Sequence, residues 1–376
     1  MIVKKISLEN YRSIKRAEIE FSEGVNLIYG DNARGKTNVL EAVYCFARGK
    51  SFRGASEREL VRFGADSYRT ELIFSDKVRE QSIELGFCDK KRIKKLNGVP
   101  CEKLSDMIGR FCAVLFCPEH LEIVKGGPGQ RREFLNIAIG QLDRRYINVL
   151  SRYKLILENR NALLRKIYMT SEKTMREALI SQLDVFSSQL AEAAAYICSQ
   201  REIYIRGLSP FAEFFLGEMS DDREKLSLEY ECDIDSTIRE DREKCTAAYL
   251  SKLRSNIERE ISSGATLYGI HRDDIKISVN NIDARTYASQ GQQRSISLSM
   301  KMAEGEMSKK QLGEYPVFLF DDVLSELDVK RRSYLMSKIS DRQIIITSCE
   351  TDDVRDIAGA RYIKALGDGV YEVSEG

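Results

Sequence analysis

A glycine-rich stretch near the N-terminus constrains this chain more than any other part of its sequence. It fits the pattern G-x-x-x-x-G-K-[ST] of a phosphate-binding P-loop, and its residues are Gly30, Asp31, Asn32, Ala33, Arg34, Gly35, Lys36 and Thr37. The apolar run 25–29 before it predicts a buried strand, and residues 38–44 after it predict a helix. Glycines let the backbone curl around a phosphate, and a helix N-terminus adds partial positive charge. The sequence therefore predicts a nucleotide site in which Lys36 reaches the β- and γ-phosphates and Thr37 binds Mg²⁺.

Composition excludes several classes of protein. The 376 residues include 59 basic and 58 acidic side chains, for a net charge of +1, so any nucleic-acid surface must be local. The nine cysteines lack zinc-site spacing and follow no secretory signal, which predicts reduced thiols and a cytoplasmic protein. No apolar run approaches the length of a membrane span, and we expect no membrane partner.

The pattern of apolar residues changes twice along the chain. Strands are predicted at 2–9, 17–29, 68–75, 79–87, 113–116, 226–232, 266–269, 275–279, 316–320, 342–347 and within 361–373. Long helices are predicted at about 130–140, 143–168, 172–206, 236–262, 291–311 and 328–339. We therefore predict an α/β domain formed by residues 1–120 and 264–376, interrupted by a mostly helical lobe at 121–263.

An apolar strand that ends in two acids, 316–322, fits the Walker B motif of P-loop proteins. In that interpretation Asp321 holds Mg²⁺ and Asp322 polarises the attacking water. An ordinary strand followed by solvated carboxylates is the alternative. The P-loop upstream favours Walker B, and it makes Asp322 and Lys36 the predicted catalytic residues.

A third motif consists of Ser289, Gln290, Gly291 and Gln292, and Gly291 lies 30 positions before Asp321. It resembles the signature of ATP-binding-cassette (ABC) ATPases, which binds the γ-phosphate of ATP held by the other subunit. Ser325 and Asp328, after Walker B, resemble the D-loop of the same ATPases. A polar helix cap is the alternative for the signature residues.

The resemblance narrows to the RecF family of bacterial recombination mediators and covers the chain essentially from end to end. The matching segments are 8–12, 40–42, 51–53, 116–119, 126–128 with 131–132, 160–161, 269–274 and 289–294. The resemblance implies an α/β fold, a P-loop ABC-type ATPase head like that of SMC proteins, with an inserted helical lobe. It also implies ATP and Mg²⁺ as cofactors and a weak, DNA-dependent ATPase activity that acts as a switch.

The same resemblance implies a role in DNA repair, replication, recombination and the SOS response. The expected partners are double-stranded and single-strand-gapped DNA, the proteins RecR and RecO, and a second copy of the chain in an ATP-dependent homodimer. The expected activity is to help load the recombinase near gaps.

Three positions depart from the usual pattern. Ala33 replaces a glycine common in such P-loops, and an alanine fits there if its φ is negative. His120 stands where the family usually has Asp, and the strand ending at Ser348 lacks the switch histidine of transporter ATPases. At the end of that strand Thr347 or Ser348 supplies only a hydroxyl, which fits weak hydrolysis.

Two further groups have alternative interpretations. The basic cluster of Lys90, Lys91, Arg92, Lys94 and Lys95 predicts either DNA contacts or a solvated hairpin. His271 with Asp273 and Asp274 suggests either a metal site or a loop that positions the signature region, and we favour the loop.

The rival functions come from other P-loop classes. Another SMC-like head shares most of these motifs. A transporter ATPase subunit predicts a switch histidine and a shorter insert, and a small-molecule kinase leaves the signature and D-loop motifs unexplained.

Overall fold

The computed structural model describes residues 1–339, 341–349 and 359–375, with the backbone alone for Glu326 and Glu375. The strands are β1 (Ile2–Tyr11), β2 (Ile14–Glu20), β3 (Val25–Tyr29), β4 (Tyr68–Ser75), β5 (Glu80–Cys88), β6 (Lys91–Leu96), β7 (Val99–Pro100), β8 (Ala113–Phe116), β9 (Leu226–Glu231), β10 (Asp274–Val279), β11 (Ile282–Asp283), β12 (Val317–Asp321), β13 (Ile344–Ser348), β14 (Arg361–Gly367) and β15 (Val370–Glu375). The helices are α1 (Lys36–Arg48), α2 (Glu57–Leu60), α3 (Glu122–Lys125), α4 (Pro128–Leu142), α5 (Arg144–Met169), α6 (Lys173–Ser220), α7 (Arg242–Ser255), α8 (Ile257–Ser263), α9 (Ala284–Tyr287), α10 (Gln290–Leu312) and α11 (Val329–Lys338). No helix in the described ranges is long and apolar enough to cross a membrane.

The chain forms two compact units. The first contains residues 1–121, 214–223 and 294–376, and the second contains residues 122–213 and 224–293. These bounds differ from the predicted domains at 214–223 and at 264–293. Residues 214–223 group with the first unit because Glu218 accepts hydrogen bonds from Tyr334 (2.7 Å) and Lys338 (2.9 Å) of α11.

A mixed sheet with the order β15-β14-β3-β13-β12-β8 forms the core of the first unit. Strands β14, β3, β13, β12 and β8 run parallel, and only β15 pairs antiparallel. Residues 344–346 and 317–320 have no exposed surface. Such continuous apolar runs are typical of parallel strands buried on both faces.

The other sheet of the first unit is antiparallel, with the order β2-β1-β4-β5-β6-β7. The buried and exposed residues of β4 alternate, as expected for a sheet with one face toward the core. Asn97 and Gly98 connect β6 to β7 with φ of 50° and 78°, which is the left-handed backbone that an Asn-Gly hairpin turn requires.

The second unit contains helices α3, α4, α5, α7, α8 and α9 and most of α6. It also contains a small sheet with the order β11-β10-β9. Its apolar core joins α5, α6 and α8 through Leu163, Leu164, Ile167, Leu179, Leu183 and Ile261. The buried guanidinium of Arg160 donates to Glu260 (2.6 Å), Thr266 (2.7 Å) and Ser187 (3.0 Å), so its charge is compensated inside the core.

Some predicted elements were wrong in detail. Residues 266–269 form no strand, because the N–H of Thr266 bonds Asn161 (2.7 Å) and the N–H of Leu267 bonds Glu260 (2.8 Å). The predicted strand 17–29 is interrupted at residues 21–24, and the helix 236–262 is divided at Asn256. The helix predicted to end near 206 continues to Ser220 with Pro210 inside it.

Candidate functional site

The candidate site lies at the edge of the mixed sheet where its parallel strands end. The P-loop follows β3, Asp322 follows β12, and Cys349 follows β13. Strand β13 pairs with both β3 and β12, so these segments emerge side by side. Ligands of open α/β sheets bind at this carboxyl edge.

Positive φ angles shape the P-loop. Gly30 and Gly35 have φ of 141° and 91°, and a Cβ on Gly30 would lie 2.7 Å from the carbonyl oxygen of Ala365. Ala33 has a φ of +63°. The condition of a negative φ is therefore not met at Ala33. The surrounding loop holds this alanine in the left-handed region, which costs an L-residue about 1–2 kcal/mol.

Lys36 is fixed by the loop that it follows. Its Nζ donates to the carbonyl oxygens of Gly30 (2.6 Å) and Asp31 (2.9 Å), and Cys349 Sγ lies 3.8 Å away. The ammonium group is therefore held over the concave side of a glycine-rich turn. This position suits a side chain that neutralises a phosphate.

Thr37 and Asp321 meet although they are 284 residues apart. Thr37 Oγ1 donates to Asp321 Oδ1 at 2.8 Å, and Thr347 Oγ1 donates to the same oxygen at 2.8 Å. Among the described residues no hydrogen bond reaches Asp321 Oδ2. A hydroxyl and a carboxylate placed in this way can supply two of the six oxygen ligands of an octahedral Mg²⁺ site, which phosphates and water would complete.

Burial raises the pKa of Asp321, the two hydroxyls lower it, and the negative charges of Glu119 and Asp322 raise it further. A buried carboxylate with acidic neighbours is destabilised until a cation arrives. No group of three or more acidic, His or Cys side chains suited to a metal exists in the described ranges. A Mg²⁺ ion here would therefore depend on the nucleotide for its remaining ligands.

Asp322 has a φ of +53°, and its N–H contacts both the carbonyl and the hydroxyl oxygen of Thr347 at 3.2 Å. Ser325 Oγ donates to the carbonyl oxygen of Asp322 at 3.0 Å. Asp328 caps α11 by accepting from the N–H of Arg331 at 2.9 Å. The predicted D-loop residues thus fix the backbone that follows Walker B.

Three segments of the family resemblance converge on Glu41, a fully buried residue of α1. Arg12 donates to both of its carboxylate oxygens at 2.9 and 2.7 Å, and Ser51 donates to Oε1. Arg12 also reaches the carbonyl of Glu59 at 3.1 Å. The helix that carries Lys36 and Thr37 is thereby tied to β1 and to the loop after α1.

The local geometry fits a bound nucleoside triphosphate with Mg²⁺. Helix α1 begins at Gly35 without a side-chain cap, which leaves its first N–H groups available to an anion. Lys36 supplies a positive charge, and Thr37 with Asp321 supplies oxygen ligands. When bound, the nucleotide provides the phosphoanhydride bond and the metal stabilises the charge on its phosphates.

The predicted signature residues begin α10 and belong to the second unit. Ser289 and Gln292 form a reciprocal cap: Ser289 N–H donates to Gln292 Oε1 (2.9 Å) and Gln292 N–H donates to Ser289 Oγ (3.3 Å). Ser289 and Gln290 are exposed, whereas Gly291 and Gln292 are half-buried. The helix-cap alternative therefore describes the local structure, and the assignment as a signature stays a prediction.

The structure divides the basic cluster. Arg92 donates to the carbonyl of Gly49 (2.6 Å) and pairs with Glu57, Lys94 donates to the carbonyl of Glu102 (2.5 Å), and Lys95 pairs with Glu84. Lys90 and Lys91 are exposed at the start of the hairpin. Of the five side chains in the cluster, only those of Lys90 and Lys91 form no hydrogen bond or ion pair with the residues that the structure describes.

The acidic loop at 271–274 does not form a metal site. His271 contacts Tyr153 Oη (2.7 Å) and the carbonyl of Thr266 (3.0 Å), while Asp274 accepts two bonds from Arg131 at 2.6 and 2.8 Å. Asp273 accepts from Arg201 at 2.8 Å. Each side chain has a different partner, so the loop is structural.

Sequence reasoning gave no role to Glu119 or Cys349. Glu119 follows β8, which pairs with β12, and its charge therefore acts on Asp321. Cys349 Sγ contacts Asn32 Oδ1 at 3.0 Å. Both residues lie just after a strand of the parallel sheet, and Glu119 also lies in the family-like segment 116–119.

Comparison with known proteins gives a consistent result. The family model described as RecF/RecN/SMC N terminal domain matches residues 2–365. The chain is 38% identical over 376 residues to the DNA replication and repair protein RecF of Ruminiclostridium cellulolyticum, covering 99% of each. The chain belongs to the RecF family. The RecF of Staphylococcus carnosus is also 38% identical, over 94% of this chain and 95% of its own.

Solved structures extend the likeness to the fold. The recombination mediator protein RecF with ATPrS matches with a TM-score of 0.91 and 34% identity, over 99% of this chain and 97% of that one. The RecF–ATP structure matches with a TM-score of 0.88 and 35% identity, over 99% and 97%. The Smc head domain from Pyrococcus furiosus matches with a TM-score of 0.57 and 16% identity, which shows the fold alone. The predicted fold class, an SMC- and RecF-like P-loop ATPase head, is confirmed.

Proposed function

We propose that this chain is an ATP-gated DNA-binding protein of recombinational repair, with the RecF role of recombination mediator. The observation that carries the proposal is the meeting of Thr37 and Asp321 at 2.8 Å in a RecF-family chain. The two motifs required for Mg²⁺-dependent nucleotide chemistry lie within hydrogen-bonding distance of each other. The match to RecF–ATP structures supports the same nucleotide for residues 30–37 here.

The division of roles follows from the site. Lys36 and the loop backbone bind the phosphates, while Thr37 and Asp321 hold Mg²⁺. Asp322 orients and polarises the attacking water, and a slow hydrolysis acts as the switch. With no histidine at the end of β13, Thr347 supplies only a hydroxyl, and that hydroxyl already bonds Asp321.

The active site is proposed to be shared between two copies of the chain. Ser289, Gln290, Gly291 and Gln292 contact the γ-phosphate of the partner's ATP, and Ser325 and Asp328 line the same interface. An exposed helix N-terminus supports an anion contact at Ser289. ATP then joins two heads on DNA and hydrolysis releases them.

The proposed DNA ligand is a duplex beside a single-strand gap, with RecR and RecO as protein partners and recombinase loading as the outcome. Within the basic cluster, Lys90 and Lys91 are best placed to contact phosphates. Both are exposed, whereas Arg92, Lys94 and Lys95 are engaged by the protein itself.

Sedimentation of the wild-type protein with and without ATP and duplex DNA tests the function. We expect a monomer without ATP and a dimer with ATP on DNA. Lys36→Ala should bind ATP at least tenfold more weakly and remain monomeric. The proposal would be refuted if ATP did not change the oligomeric state of the wild type, or if the Lys36→Ala variant dimerised normally.

A mixture of variants tests the shared site. Ser289→Arg should bind ATP as a monomer yet fail to dimerise, because a bulky cation replaces a small hydroxyl. A mixed dimer of Ser289→Arg with Lys36→Ala contains one composite site with neither defect. The mixture should regain ATPase activity that neither variant has alone, and heterodimers without recovery would contradict the shared site.

A further inference from the structure

The C-terminal hairpin, β14 and β15, forms one wall of the P-loop. Ala365 presents its carbonyl oxygen to Gly30, and Leu366 accepts a hydrogen bond from Arg34 Nη1 at 3.1 Å. Tyr371 of β15 lies directly across from Ala365 in the hairpin. The hairpin therefore touches the P-loop at its first glycine and along its length.

Tyr371 brings a polar group to the last glycine of the loop. A Cβ on Gly35 would lie 3.4 Å from Tyr371 Oη and 3.5 Å from Ser13 Oγ. Gly35 is also the N-cap of α1 and has no side chain of its own to offer an anion. The tyrosine hydroxyl thus lies beside the residue at which the P-loop passes into α1.

This hydroxyl is buried and has no hydrogen-bond partner among the residues that the structure describes. An unsatisfied buried hydroxyl costs about 1–3 kcal/mol, and native proteins rarely keep one without a reason. Burial also raises the pKa of Tyr371, so the group stays a neutral donor throughout the physiological range. Phe would fill the same space without this penalty.

We propose that Tyr371 is a nucleotide-positioning residue whose hydroxyl donates a hydrogen bond to the ligand of the P-loop. The bound nucleotide supplies the acceptor for this hydroxyl, either a phosphate oxygen or a ribose oxygen. The C-terminal hairpin then senses occupancy of the loop. This inference rests on the proposed ATP site and adds a residue from the opposite end of the chain.

Tyr371→Phe tests the inference because it removes only the hydroxyl. We expect ATP to bind about fivefold more weakly, as measured by calorimetry, since one hydrogen bond is lost. The nucleotide-free variant should melt at a temperature equal to or higher than the wild type, because the unsatisfied group is gone. A purely structural role predicts unchanged ATP affinity, and that result would overturn the inference.

Tyr249→Phe is the matched control. Tyr249 also has a buried hydroxyl without a partner in the described residues, but it belongs to α7 of the second unit. This variant should gain similar stability and keep its ATP affinity. Equal loss of ATP affinity in both variants would count against a specific role for Tyr371.

The choice of ligand identifies the acceptor. If the acceptor is a phosphate oxygen, inorganic triphosphate should bind Tyr371→Phe more weakly than it binds the wild type. If the acceptor is a ribose oxygen, inorganic triphosphate should bind the two proteins equally well. A wild type that binds no ATP would refute the proposed function itself. A wild type that binds ATP as tightly as Tyr371→Phe does would refute only this inference.

Discussion

Thr37 Oγ1 donates a hydrogen bond of 2.8 Å to Asp321 Oδ1, and this contact joins the start of α1 to the end of β12. Strand β13, which lies between β3 and β12, supplies Thr347 to the same carboxylate oxygen. Three neighbouring strands or their loops thus hold one acidic group in place. Its free oxygen and its raised pKa give the first prediction.

Asp321→Asn should stabilise the nucleotide-free protein at neutral pH by about 1 kcal/mol, because it removes a buried charge but keeps an acceptor for both hydroxyls. A carboxyl whose pKa is raised by folding favours the folded state below its unfolded pKa and loses that contribution as pH rises through the folded value. The stability advantage of the Asn variant, measured by urea unfolding, should therefore grow as the pH rises above the ordinary range of an aspartate, and it should level off once the folded carboxyl is ionised. Mg²⁺ with ATP should stabilise the wild type and leave the variant nearly unchanged.

Asp322→Asn should separate nucleotide binding from hydrolysis. Asn tolerates the φ of +53° at this position as well as Asp does, so the backbone is preserved. Single-turnover hydrolysis should slow by about a hundredfold, while ATP affinity stays within about twofold. The dimer on DNA should persist longer than that of the wild type, and unchanged turnover would remove Asp322 from its role.

Ala33→Gly should relieve backbone strain. The left-handed φ of Ala33 costs about 1–2 kcal/mol, and the added freedom of glycine in the unfolded chain offsets about half of this. The free energy of unfolding should rise by about 0.5 kcal/mol. Ala42→Gly, within α1, should instead lower it by about 1 kcal/mol. If Ala33→Gly and Ala42→Gly lowered the free energy of unfolding equally, the backbone of Ala33 would not be strained.

The double change Lys90→Ala with Lys91→Ala should weaken DNA binding without unfolding the protein. Each lost phosphate contact lowers the slope of log affinity against log salt by about 0.9, so the slope should fall by about 2. Arg92→Ala is the contrasting variant, since it breaks bonds to Gly49 and Glu57. It should cost about 1–2 kcal/mol of stability. An unchanged salt slope in the lysine variant would exclude these lysines from the DNA surface.

Arg160→Ala should destabilise the second unit by about 3–5 kcal/mol, because Glu260 remains buried without its counter-charge. Arg176→Ala removes an ion pair with Glu258 at the surface, where the Arg176 side chain is 36% exposed and that of Glu258 is 70% exposed. That change should cost under about 1 kcal/mol. Denaturant unfolding of both variants measures the difference, and similar small losses would show that the buried network contributes little.

The sequence alone determined the positions of motifs that depend on residues close together in the chain. The P-loop, the Walker B strand and most regular elements depend on short-range patterns of glycine, apolar periodicity and charge, so their positions were predictable. The Asn97-Gly98 turn is of the same kind. The family resemblance likewise depended on short segments that can be recognised in the sequence, in their order along the chain.

Only the tertiary structure determined which of these segments contact one another. Arg12, Glu41 and Ser51 are ordinary polar residues in the sequence, and only folding brings them into one buried network. Residues 266–269 have strand-like composition, yet Asn161 and Glu260 take their N–H groups and prevent a strand. Ala33 adopts a backbone that its own side chain disfavours, because the closed loop fixes it. Tyr371 reaches the P-loop from the far end of the chain because β14 pairs beside β3, and no local pattern encodes such a long-range pairing.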